Sequence, residues 1–163
     1  MRTKIIIGCI LILLAILQAT ALDYLKVFNI KPDALLVAII IVSLFLEWKW
    51  VLIFSSLAGA LKDIFAALPL GLNTLIFVLL ASAVFKLSKK IIIETNYAII
   101  STVFVSAVLL NLIAGILCVF LGIDITLGAF LRATIIGSLY TTLLSPLIIR
   151  LVRLSGIDST IQL

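Results

Sequence analysis

The residues of this chain that could do chemistry are few. The most conspicuous lie in GALKDIFAALPLGLN, Gly59 to Asn73, where Lys62 and Asp63 interrupt an apolar run and Pro69, Gly71 and Asn73 follow. A carboxylate in such a setting can hold a cation, carry a proton or act as a general acid or base. Catalysis needs a second acid, base or nucleophile beside it, and the sequence sets none there. The chain has no His, and Cys9 and Cys118 each stand alone within apolar runs. Imidazole catalysis and zinc sites built on His or paired Cys are therefore excluded, and a Ser or Asp nucleophile lacks its usual base. Carboxylate chemistry stays formally open, but the reading is of a protein that is not an enzyme and carries no cofactor or metal.

The other polar candidates are Gln18, Asn111 and the pair Pro32 and Asp33 in IKPDALL. Gln18 and Asn111 fit hydrogen bonds between helices. Pro32 and Asp33 suit the start of a helix, where a missing N–H costs nothing and a carboxylate meets the positive end of the helix dipole. Tyr140, Ser145 and Pro146 are assigned no chemistry, although Pro146 should kink its helix.

Composition decides what must position these residues. Of 163 residues 65% are hydrophobic and only 12% charged, against roughly 25% charged in a soluble domain. Mean hydropathy is +1.46. A soluble globule of this length has no interior able to hide so much apolar surface, so lipid is the solvent for most of the chain. The net charge of +5 does not indicate nucleic acid, because the 12 basic residues are not clustered with aromatic platforms.

The apolar runs lack the period-two alternation of a membrane β-barrel, which leaves an all-α bundle in one transmembrane domain over 1–163. The expected helices are about 5–24, 32–48, 50–68, 70–87, 96–121 and 128–150. With both termini cytoplasmic, eight basic residues fall inside (Arg2, Lys4, Lys49, Lys86, Lys89, Lys90, Arg150, Arg153) and four outside (Lys26, Lys31, Lys62, Arg132). That split satisfies the positive-inside rule. EWKW, Glu47 to Trp50, reads as a tight connection between the second and third helices, with both Trp rings at headgroup level. The opening MRTK, apolar run and ATA resemble a secretory signal. The 18 uncharged residues Ile5 to Leu22 exceed a typical signal core, and a retained first helix is expected.

A third helix starting near Trp50 carries Lys62 and Asp63 roughly 18 to 20 Å along its axis. Pro69 then ends it and Gly71 reverses the chain. Lys62 can snorkel to the outer interface, whereas the short Asp63 cannot. Adjacent residues point about 100° apart, so Asp63 should find a partner on another helix or be protonated. Bracing of the bundle is the first reading, contact with another membrane protein the second, and an ion or substrate path the third. Small residues four apart at Ala15/Ala19 and Ser55/Gly59 would let helices approach closely, and Ala67/Gly71 repeats that spacing.

Three stretches carry a family resemblance: Gln18 in LQAT, IKPDALL, and GALKDIFAALPLGLNTLIF. The last is similar to a pattern of Gly, apolar residues, Asp and then Pro-Leu-Gly-x-Asn. The chain resembles the MreD family of rod shape-determining proteins, with one departure: Lys62 stands where the family usually has an apolar residue. The resemblance implies a non-enzymatic protein of the bacterial plasma membrane that associates with MreC. Through MreC it would reach the actin-like MreB filament and the elongation-specific peptidoglycan polymerase and transpeptidase. It also implies a fold similar to the substrate-binding subunits of energy-coupling-factor transporters. The alternative function is therefore a substrate-binding subunit of a vitamin-type transporter, for which Asp63, Asn73 and Asn111 would supply polar groups.

Overall fold

The computed structural model describes residues 2–20, 30–65, 71–89, 96–122 and 126–153. These form six helices: α1 (Arg2–Ala19), α2 (Ala34–Phe45), α3 (Trp48–Phe65), α4 (Leu72–Ser88), α5 (Asn96–Phe120) and α6 (Leu127–Arg153). The all-helical class expected from the apolar runs is the class observed. Pro69 and Ala67, and with them the expected end of the third helix at residue 68, lie outside the described residues.

The helix α2 is the axis of the bundle, and α1, α3, α4, α5 and α6 all pack against it. Every residue from Ala34 to Ser43 is buried. A helix apolar on all sides can be stable only when surrounded, and IIIV at its centre meets that condition. α3 with α4, and α5 with α6, form the two closest antiparallel pairs. Only a third of the 18-residue window that qualifies each of α5 and α6 as a span is buried, which distinguishes them from core helices of a soluble protein. Tyr97–Phe120 and Phe130–Leu151 are long and apolar enough to cross a membrane.

Several boundaries differ from the sequence reading. α2 begins at Ala34 and stops at Phe45, because Asp33 is its N-cap and Leu46 turns to extended backbone (φ −101°, ψ 165°). Pro32 precedes the cap instead of opening the helix. EWKW is not the connection: Trp48, Lys49 and Trp50 form the first turn of α3, and Leu46 and Glu47 make the link. Each ring packs on an aromatic neighbour, while Trp48 stays 38% exposed. Trp48 lies 5.3 Å from Phe85 of α4, and Trp50 lies 5.8 Å from Phe54 with the Lys4 ammonium 4.3 Å above it. These contacts gather the start of α1, the start of α3 and the end of α4 at one end of the molecule. Pro146 lies inside α6, which remains helical on both sides of it.

The α3–α4 pair depends on a close approach at Gly59. A Cβ there would stand 2.9 Å from Thr74 N and 3.1 Å from Asn73 O, backbone atoms that cannot swing away. Gly59→Ala should therefore separate the two helices and lower stability by about 2 kcal/mol, the middle of the range for overpacking a tight contact. Thermal unfolding of the purified protein in mild detergent measures this, and an unchanged midpoint would mean that the contact is not close.

Candidate functional site

The first turn of α4 has a deficit built into its sequence. Its N-cap is Gly71, at φ 95° and ψ −15°, which can adopt the left-handed turn but has no side chain to bind the unpaired N–H groups that follow. Asp63 from the last turn of α3 supplies the missing acceptor. Its Oδ2 accepts from Gly71 N at 3.0 Å, Thr74 N at 3.1 Å and Thr74 Oγ1 at 2.6 Å. Its Oδ1 accepts from Asn73 N and Asn73 Nδ2, each at 3.0 Å. Both oxygens act purely as acceptors, and the carboxylate sits against the positive end of the helix dipole. Asp63 and Asn73 are each only 3% exposed, so water contributes little. The partner expected on another helix is thus the backbone and first polar side chains of α4, and no cation of the described residues pairs with Asp63.

Lys62 turns the other way. Its ammonium pairs with Asp33 Oδ2 at the start of α2 and lies 4.9 Å from the Phe77 ring centroid. The expected snorkelling is therefore corrected: the cation is held inside the bundle by a carboxylate 29 positions earlier. Asp33 also caps its own helix, accepting from Leu36 N at 3.1 Å. Gln18 of α1 completes that turn, with its Oε1 accepting from Leu35 N at 3.2 Å and its Nε2 donating to Asp33 Oδ1 at 3.4 Å. The Asp33 N–H donates to Thr141 Oγ1 of α6 at 3.0 Å. Gln18, Asp33, Lys62 and Thr141 therefore join α1, α2, α3 and α6 around one helix start.

Asn111 of α5 bonds through Nδ2 to Ala107 O at 3.0 Å and Ser138 Oγ of α6 at 3.5 Å. It lines a cavity of about 430 Å³ that Gln18, Lys31, Asp33, Lys62 and Thr141 also border. Asn73 is not among the cavity residues, and neither is Asp63. The sequence reading missed Thr74 and Thr141. Thr74 had a signal, a hydroxyl in the first turn after a side-chain-free cap. Thr141 had none, being 108 positions from its partner.

Removing the Asp63 acceptor leaves buried donors unpaired. Asp63→Ala should lower stability by about 2–3 kcal/mol, the sum expected for a lost cap and unpaired N–H groups. Asp63→Asn should fall between Ala and wild type, since its one oxygen can serve only one of the two sets of donors. Gly71→Ala meets no steric obstacle, so its cost should be the left-handed backbone alone, about 1–2 kcal/mol. Unfolding midpoints of the three variants in one detergent rank these effects, and an Asn variant as unstable as the Ala variant would contradict the two-oxygen division.

Compared with known protein families, residues 1–155 of the 163 match the family model described as rod shape-determining protein MreD. The search of curated proteins found no match. No solved structure matches either.

Proposed function

This chain belongs to the MreD family of rod shape-determining membrane proteins, and from that premise we propose that it is a non-enzymatic platform of the bacterial cell-elongation machinery. It holds MreC in the plasma membrane. Through MreC it positions the MreB filament and the elongation-specific peptidoglycan polymerase and transpeptidase for lateral wall synthesis. The observation that carries this reading is the family match over almost the entire chain.

The chemistry of the polar groups supports it. Asp63 binds the Asn73 and Thr74 side chains and the α4 backbone, and Asp33 is shared among α1, α2 and α3, which fits bracing of a scaffold. We further propose that all six helices are membrane spans with both termini cytoplasmic. On this arrangement the Trp48 and Trp50 end faces the cytoplasm and the Asp33 and Asp63 end faces outward, with the shorter α2 shielded from lipid by its neighbours. The transporter-subunit alternative draws on a different observation, the polar-lined cavity between α1, α2, α3, α5 and α6.

A tagged copy expressed in its native membrane and extracted in mild detergent should recover MreC, and Asp63→Ala should recover several-fold less. A folded wild-type protein that brings down no MreC would overturn the platform reading. Vitamin uptake by vesicles that depends on an added energy-coupling ATPase would favour the alternative.

A further inference from the structure

We infer that the cavity above the start of α2 is a binding site for a small amphiphile, with an oxyanion head (carboxylate or phosphate) and an apolar body. The inference concerns what occupies the cavity and holds whether the protein is a platform or a transporter subunit. About 430 Å³ lies within the range of pockets that enclose small ligands. The space has two structural sources. α2 is 12 residues long, about 18 Å, and so ends well short of a ~30 Å apolar core. α5 continues from Asn111 to Phe120, about 14 Å further, so the cavity lies beneath the tips of longer helices. Its walls are then cut back by Ala15, Ala19, Ala107, Ala133 and Gly137, small residues in a chain dominated by large aliphatic ones.

Three polar groups at the cavity, Lys62, Thr141 and Asn111, have capacity that the described residues do not use. Lys62 has three N–H donors, and Asp33 is its hydrogen-bond acceptor. The Thr141 hydroxyl accepts from Asp33 N, but its own hydrogen has no acceptor among the described residues. Against these donors stands the Asn111 carbonyl oxygen, the Nδ2 of that side chain being occupied by Ala107 and Ser138. Asp33 is committed to Leu36 N, Gln18 and Lys62. The unused capacity is therefore richer in donors than in acceptors, which selects a head group made of acceptors. An oxyanion there would share the Lys62 ammonium with Asp33, while Leu35, Leu36, Leu110 and Phe65 receive the apolar body. At membrane depth such donors are costly unless paired, which favours occupancy by a group that can accept from them.

A membrane lipid and a soluble organic anion share this chemistry, and one experiment separates them. The full-length protein is placed in nanodiscs of dioleoylphosphatidylcholine, with either dioleoylphosphatidic acid in the bilayer or octyl phosphate in the aqueous phase. Bound probe is counted by native mass spectrometry. One equivalent should bind saturably, from the bilayer if the source is lipid and from water if it is soluble. Ala133→Leu, which fills the cavity without touching a polar group, should weaken binding at least tenfold, as should Lys62→Gln. Inorganic phosphate alone should bind far more weakly because it lacks the apolar body. Absence of saturable binding of both probes to the wild type, or equal binding by wild type and a folded Ala133→Leu variant, would overturn the site.

Discussion

The structure depends on one carboxylate placed over the start of a helix. A helix start presents N–H groups with no partner of their own, and where they are buried those groups must be satisfied within the protein. The cap of α4 is a glycine, chosen for a backbone angle that other residues resist, and it cannot satisfy them. Asp63 does so from the preceding helix, accepting five hydrogen bonds across Gly71, Asn73 and Thr74. The geometry then determines the rest of the pair. Gly59, one turn before Asp63 on the same face, meets the backbone of Thr74, so the cap and the close approach require each other.

That commitment of Asp63 also directs its neighbour. Consecutive helical residues diverge by about 100°, so a chain that aims Asp63 at α4 aims Lys62 elsewhere, and the carboxylate it meets is Asp33 at the cap of α2. The pair is stable in this setting because Asp33 is already anchored by Leu36 N and Gln18. Two helix starts at the same end of the bundle are therefore joined through two adjacent residues of α3. The opposite end is held by different means, with Trp48 on Phe85 and Lys4 over Trp50.

Much of this was legible locally. Apolar runs bounded by charges showed six helices, and Pro-Asp before an apolar run marked the start of α2 to within two residues. Gly71 was recognisable as a reversal, and the motif around Asp63 pointed to the MreD family. In EWKW the charges of Glu47 and Lys49 read as a connection, but the segment is mostly helix. Its Trp rings instead pack on Phe85 and Phe54, and that packing carries the segment into the helix. The length of the Lys62 side chain allows it to reach an interface, and only the position of Asp33 shows that it does not.

The amino-acid sequence by itself pointed to a membrane protein and determined the helical class and the carboxylate at the start of α2, because composition, hydrophobic run length and capping chemistry act over a few residues. Tertiary structure alone decided which donors Asp63 meets, that Lys62 turns to α2, that Thr141 supports Asp33 across 108 positions, and that a cavity remains among five helices. These depend on how far each helix extends and how closely its neighbours approach. Distances between segments are set by packing in three dimensions, for which adjacency along the chain carries no record.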